Sequence, residues 1–571
     1  MLDIMKTKNI KNIALMLLAG FTLSSCSDFF DIKPMNDVVL ENYWTEKQDV
    51  VSVRNSCYES LISQDAMVRI GLWGEVRSDN LKSGANVPND INEILKENIL
   101  SSNPYTKWAK IYECINRCNI VCHYAPQVQA IDPNYSESEM KADIAEVSAL
   151  RDLCYFYLIR TFRDVPYTRE PSIDDAQNYV LPATPFEAVL DSLITDLENV
   201  KDDAVRRYEM ERVSGSSYNI YNVFPSVNSS RITRVAIYAL LADLYLWKKD
   251  WDNCIKYADL VISFKRQQYD ELMDRVGDIP EMALFDEVPL YLQCREGSTS
   301  GGNAYTCIFG RKNSYESLFE LYFTGTNSWV SDYYGNRNTT NGRLRANELA
   351  FGTSVLDVIQ NKVNLFKSTD GRFYENFRVQ GNSLGVGKYV NDEISFNTRS
   401  VSSEQSLNLR QSMRSDNSFA WIVYRLTDIL LIKAEALVMR NLEGDMSEAF
   451  KLVNIVNKRS NNMTQTLKEA DYSNSQNAML NLVYDERRRE FMFEGKRWFD
   501  LVRRSRLDGN TTYLVSCVKS LYPAEQANAI SIKMADMNII YFPYNRDEMK
   551  VNPLLKQNSA YNNGEDEEYS R

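Results

Sequence analysis

Three glutamates, Glu486, Glu490 and Glu494, recur every fourth residue late in the chain. On an α-helix that interval stacks their carboxyls along one face. Two carboxyls held about 5–5.5 Å or about 6.5–9.5 Å apart are what retaining and inverting glycoside hydrolysis need. The neighbours argue against that use. Arg487, Arg488, Arg489, Lys496 and Arg497 surround the acids, and nearby cations keep carboxylates ionised, whereas an acid catalyst needs its pKa raised. The expected role is an ion-paired helix packed down by Trp498 and Phe499, with no catalytic residue assigned.

Cys114, Cys118 and Cys122 also share one helical face, and His123 follows directly. Structural zinc sites place paired cysteines two to four apart in a turn. Three thiols up a straight helix, about 6 Å of rise per step, cannot ring one ion. A buried stripe is the expectation, since free cysteine is among the most buried residue types. His123 is the only histidine in 571 residues, which removes multi-histidine metal centres and leaves any nucleophile–histidine mechanism dependent on it. "GNSLGVGKY" (Gly381 to Tyr389) departs from the phosphate-binding loop, because Asn382 stands at the first glycine position and Tyr389 follows the lysine. A turn is expected there. No metal and no cofactor is assigned.

The remaining chemistry-bearing groups are aromatics set among polar side chains. The apolar face of a pyranose stacks on a flat ring, worth on the order of 1 kcal/mol by analogy with aromatic pairs. "GLWGEVRSDNLKSG" offers Trp73, Arg77, Asp79 and Asn80 in a loop-like setting, and "TGTNSWVSDYYGNRN" offers Trp329, Asp332, Tyr333 and Tyr334. These eight are the candidate ligand-binding residues. An aromatic in a loop also commonly pins that loop to the core, so the test is whether Trp73 or Trp329 shows a bare ring face to a shared concavity.

Helical periodicity dominates the elements that must position them. It predicts helices over about 45–63, 104–124, 138–163, 184–200, 230–247, 251–264, 424–440, 446–460 and 476–504. Two segments share a helix–turn–helix form, with Leu241, Ala242 and Tyr245 facing Cys254, Tyr257 and Ala258, and Leu431, Ala434 and Ala436 facing Ala449, Leu452 and Ile455. Small residues there allow close antiparallel approach, the tetratricopeptide-like arrangement. Such a pair must stack on neighbours to bury its apolar face. Residues 294–345 and 379–417 are rich in Gly, Ser, Asn and Thr, although "SLFELYF" (Ser317 to Phe323) reads as a strand. The fold expected is mainly α: a tetratricopeptide-like scaffold over about 41–264 and 424–504, with a loop-rich, ligand-binding insert over about 265–423, all within a single domain 41–571.

The amino terminus reads as an address. Lys6, Lys8 and Lys11 precede the apolar run Ile13 to Leu23, which is too short to span a bilayer, where about 20 residues are needed. Leu-Ser-Ser-Cys (Leu23 to Cys26) looks like a bacterial lipobox, giving a signal peptide over 1–25, lipidation at Cys26 and a lipidated tether over 26–40. Several acyl chains anchor a soluble body firmly. The net charge is −12, and losing Asp3, Lys6, Lys8 and Lys11 with the leader makes it about −14. That balance argues against nucleic acid, whose binding needs clustered Lys and Arg.

The run "VYDERRREFMFEGKRWFDLVRR" (Val483 to Arg504) resembles the hallmark helix and turn of the SusD/RagB family, surface lipoproteins of Bacteroidota. "CSDFFDIKP", "EVSALRDLCYFYLIRTFRDVPY", "YRLTDILLIKAEAL" and "NPLLKQN" resemble other family segments in the same order. The loop-rich middle matches only loosely. The resemblance implies a helical scaffold of four tetratricopeptide-like units under an irregular binding half. It implies a protein of the outer membrane, facing the cell exterior, that sits on a SusC-like TonB-dependent transporter and passes it an oligosaccharide, or a peptide in RagB-like members, without catalysis. A carboxylate-dependent glycosidase is the distant alternative.

Overall fold

The computed structural model describes residues 43–173, 179–208, 227–323, 329–336, 342–363, 365–380, 383–398, 402–415 and 418–562. The leader, Cys26, the tether, Asn327 and Arg337 lie outside them.

The scaffold is a continuous stack of helices. α1 (Lys47–Ile62) packs on α3 (Ala109–Ile131), α3 on α4 (Glu137–Phe162), α4 on α5 (Phe186–Val200), α5 on α6 (Arg234–Lys248) and α6 on α7 (Trp251–Val276). α7 then meets α8 (Leu426–Arg440), which packs with α9 (Asp445–Ser460) and α10 (Gln476–Phe491). The physical reason lies in α4. A capping box starts it, Ser136 Oγ accepting from the Glu139 backbone while Glu139 reaches back, and from Ala145 to Phe162 every side chain is buried. Apolar side chains lie on every side of that stretch, with the charges of Glu146, Arg151, Asp152 and Arg160 buried among them, so it must be covered on all sides.

Both helix pairs read from the sequence are present. Lys249 takes φ +64 between α6 and α7, and its N–H and that of Asp250 close the end of α6 onto Leu246 and Tyr245. Tyr245 and Tyr257 then stack with centroids 5.7 Å apart. Their hydroxyls donate to one oxygen of Glu198 on α5, at 2.7 and 2.6 Å, so the pair is locked to a third helix. In the second pair Leu431, Ala434, Ala436, Ala449, Leu452 and Ile455 are all buried.

Four features differ from expectation. α3, expected over 104–124, runs Ala109–Ile131, five residues later at its start and seven at its end. α7 continues to Val276, twelve residues beyond 264, because Lys265, Gln268, Tyr269 and Leu272 keep its inner face buried. The run 476–504 is two helices, α10 and α11 (Arg497–Asp508), divided where Phe493 and Gly495 adopt φ +66 and +69. The stretch expected as a loop around Trp73 is the end of α2 (Gln64–Glu75), a helix with Ser63 as its N-cap.

Short strands knit the loop-rich insert to this frame. β1 (Leu81–Ser83) pairs antiparallel with β3 (Leu344–Ala346), and β2 (Ser317–Tyr322), the strand read from the sequence, pairs with β6 (Ala420–Arg425). β4 (Asn391–Asn397) pairs with β5 (Arg410–Met413). Ion pairs complete the join. Arg372 bonds Glu486 (2.8 Å) and Glu490 (3.0 Å), Lys388 bonds Glu494 (2.8 Å), and Arg425 bonds Glu490 (2.6 Å) and Glu494 (2.9 Å). All are buried. Such pairs add little net stability over apolar packing, but removing one partner costs about 3–5 kcal/mol, so they fix one docking of insert on scaffold.

Candidate ligand-binding surface

The fold brings together the two segments singled out by their aromatics. After α2 the chain runs through residues 76–80 into β1. The short helix Trp329–Tyr333 precedes β3, to which β1 is paired in the register Leu81↔Ala346, Lys82↔Arg345, Ser83↔Leu344. Asn347 extends the join: its N–H donates to the Asn80 carbonyl at 3.0 Å, and its Nδ2 to the Asp79 carbonyl at 3.2 Å.

The side chains, however, face inward. Trp73 is fully buried, its Nε1 donating to the Tyr105 carbonyl (2.8 Å) and its ring set edge-on to Phe162. Trp329 is fully buried too, lying over Gly71 of α2 and tilted on Tyr333 and Tyr334 at 4.6 and 5.5 Å. Neither tryptophan shows the bare ring face that stacking on a sugar requires. Arg77 pairs with Glu97, donates to the carbonyls of Ile539 (2.7 Å) and Ile540 (3.1 Å), and lies 4.3 Å over Trp498. Asp79 accepts from Arg497 (2.9 Å) and pairs with Arg488 (3.0 Å). Burial alone would raise its carboxyl, but these two guanidinium groups outweigh burial and bring it to about 2. Asn80 is spanned between Glu75 and Arg488, and the Tyr334 hydroxyl donates to the Phe493 carbonyl. These residues form the floor of the junction.

Of the eight candidates only Asp332 keeps partial exposure. Above the floor, the Tyr333 and Tyr105 hydroxyls lie 3.2 Å apart and the Arg343 guanidinium sits 5.4 Å over the Tyr333 ring. Burial, then the bond to Tyr105, pushes the Tyr333 phenol well up, so it stays a neutral hydrogen-bond donor. Lys82 and Ser83 lie beside them on β1, with Lys82 paired to Glu348. Tyr105 and Arg343 were missed from the sequence. Tyr105 is set by pairing across more than two hundred residues, and Arg343 carries no aromatic context of its own. Paired hydroxyls, a guanidinium and a carboxylate on a rigid base can hydrogen-bond a polyhydroxylated ligand.

The glutamate ladder has a different character. Burial opposes ionisation at Glu490, yet Arg459, Arg425 and Arg372 hold its carboxyl well below the usual range. Glu486 and Glu494 are lowered in the same way, by Arg372 with Arg489 and by Arg425 with Lys388. The ion-pair reading of this helix is what the structure contains, and no proton is held there for a leaving group. Lys388, in the glycine-rich run, donates to Glu494 and to the Glu490 carbonyl at 2.8 Å each. That run forms one strand of a hairpin, Ser383–Val386, before its turn. Cys114 and Cys118 are buried core residues, Cys122 is half-buried beside Ser148, and His123 is exposed against the edge of Tyr124. Among the described residues no cluster of His, Cys, Asp or Glu could hold a metal ion.

Comparison with known proteins agrees with this architecture. Residues 295–561 match the model of the SusD family. The chain is 24% identical to SusD-like protein P38 of Formosa agariphila over 88% of this chain and 92% of that one. It is 22% identical to a SusD-like protein of Bacteroides ovatus over 84% and 80%. A SusD superfamily crystal structure from Bacteroides thetaiotaomicron superposes with TM-score 0.63 at 19% identity, covering 91% of this chain and 99% of that one. Surface glycan-binding protein A from Bacteroides uniformis superposes with TM-score 0.59 at 19% identity, covering 90% and 99%. Residues 295–561 thus carry the sequence pattern of the SusD/RagB family, and the mainly helical frame of the chain has the fold of SusD superfamily structures.

Proposed function

We propose that this protein captures an oligosaccharide at the cell surface and delivers it, unaltered, to a SusC-like TonB-dependent transporter. Acyl chains on Cys26 hold it at the outer membrane, facing the exterior. The observation that carries this reading is the β1–β3 junction, where Tyr105, Asp332, Tyr333 and Arg343 gather over a floor braced by Trp73 and Trp329. The name of one structural neighbour, a surface glycan-binding protein, supports it. The sealed state of Glu486, Glu490 and Glu494 supports binding without hydrolysis.

Calorimetry against a panel of glycans and peptides tests the proposal. A glycan should bind, and Tyr333→Phe and Arg343→Ala should each weaken it by about tenfold, in line with the loss of a hydrogen bond to a charged or buried partner. Binding confined to peptides would transfer the same architecture to a RagB-like role. Product release abolished by Glu→Gln changes in the ladder would replace the binding protein with an enzyme.

A further inference from the structure

A second concavity, sharing no residue with the β1–β3 junction, opens where the end of α4 meets the carboxyl-terminal segment. Its volume is about 450 Å3, within the range of small-molecule sites, about 300–1,000 Å3. Three other cavities, each about 20 Å3, have room for little beyond water.

The rim is fixed before any ligand arrives. Gln557 bonds the N–H and the carbonyl of Tyr544 at 2.9 Å each, and Asn558 Nδ2 donates to the Asn538 carbonyl at 2.9 Å. Two groups stay uncommitted: the Lys556 amine and the Ser559 hydroxyl are exposed and make no hydrogen bond or ion pair among the described residues.

Arg163 gives the cleft its character. It has φ +70 and ψ −78, and the Asp164 N–H bonds back to the Phe162 carbonyl at 3.1 Å. This is a γ-turn of the rare, strained kind with positive φ. Glycine makes that turn without a steric penalty. An arginine kept there is held for its side chain, and it is aimed with care. Its Nε and Nη2 rest on Asp164 Oδ2 at 2.9 and 2.8 Å, and its Nη1 donates to Asn538 Oδ1 at 2.7 Å. The fork still has unused N–H groups on both Nη atoms. Arg163 and Lys556 face a single acid, Asp164, so the cleft is net positive on a protein of charge −12.

We propose that this cleft is a second binding site, for a sugar-sized polar molecule bearing a carboxylate, the chemistry of a uronic acid. The planar guanidinium matches the two oxygens of a carboxylate. Lys556 and Ser559 meet the remaining acceptors, and the preformed rim lowers the cost of ordering. The site requires nothing of the β1–β3 junction and stands or falls separately.

The test is titration of the full-length protein with digalacturonate, and with its methyl ester as a probe of equal size and no charge. Digalacturonate should bind saturably, more weakly as salt rises, and the ester at least tenfold more weakly. Arg163→Gly and Lys556→Ala should each cut digalacturonate affinity at least fivefold, while Arg163→Gly melts no lower than the parent because its turn is relieved. Equal binding of acid and ester, no saturable binding, or unchanged affinity in both variants would overturn the proposal. Lys556→Ala, at an exposed position that props nothing, decides the matter should Arg163→Gly lower the melting temperature.

Discussion

Asp79 and Glu75 lie four residues apart, both fully enclosed, and burial sends them opposite ways because their partners differ. Arg488 and Arg497 overcome burial at Asp79 and hold it at about 2. At Glu75 burial wins and lifts the carboxyl to about 7, against N–H donors from Asn80, Phe493 and Gly495 and the charge of Lys388. An aspartate titrates near about 3.9 when unfolded. The depressed Asp79 therefore contributes stability above that pH, about 3 kcal/mol by linkage, which is lost as pH falls toward 2. Asp79→Asn should remove this acid limb and leave two guanidinium groups short of charge, costing about 3–5 kcal/mol at neutral pH. Glu75 runs the other way. Its raised pKa favours folding below about pH 4 and that advantage fades as pH rises through 7, a loss of about 3 kcal/mol at 1.36 kcal/mol per unit. Glu75→Gln should flatten the drift of the urea midpoint between about pH 4 and 7, and a drift that survives the change would refute this assignment. None of this is legible in "GLWGEVRSDNLKSG". Arg, Asp, Asn and Trp are the residues of a polar binding loop and equally those of a buried network, and only partners more than 400 positions away, such as Arg488 and Arg497, distinguish the two.

The same distance hid α2. Glycine inside a helix costs about 1 kcal/mol against alanine, so Gly71 and Gly74 weigh against a helix when read locally. In the structure each marks a close approach. A Cβ on Gly71 would strike the Trp329 indole, and one on Gly74 would meet the Gly495 backbone, its carbonyl carbon at 2.5 Å. Gly495, at φ +69, belongs to the turn that splits α10 from α11. The break and the hidden helix are thus one contact seen from two sides. Gly74→Ala should gain the intrinsic helix preference yet lose more to overpacking, about 1–3 kcal/mol, and appear as a lower melting temperature. The long helices were readable because periodicity is local: α4, α6, α8 and α9 start within four residues of expectation. The Glu486–Glu490–Glu494 spacing was readable for the same reason, although Arg372, Arg425 and Arg459, which neutralise it, come from the insert, from the end of β6 and from α9. Glu490→Gln leaves those three guanidinium groups undercompensated. It should destabilise by about 3–5 kcal/mol, checked by chemical denaturation, with the insert more open to proteolysis.

At the size of the entire protein, anchoring and binding are separable. Among the described residues no helix is long and apolar enough to cross a membrane. Under the proposed function, attachment falls to Cys26. The helical stack and the insert are joined by buried ion pairs that make no use of residues before 43. Cys26→Ser should therefore release the protein from the membrane fraction while leaving its melting temperature and its glycan affinity in solution unchanged. Uptake should respond differently. A tether keeps receptor and transporter at an effective concentration on the order of millimolar, and free diffusion away from the surface forfeits it. Cells carrying only the serine variant should grow poorly when the glycan is scarce and approach the parent when it is abundant, because raised ligand offsets a lost local excess. Growth unaffected at low glycan would mean that the pairing with the transporter does not rely on the lipid. Loss of affinity in the purified variant would mean that the segment before residue 43 belongs to the binding surface.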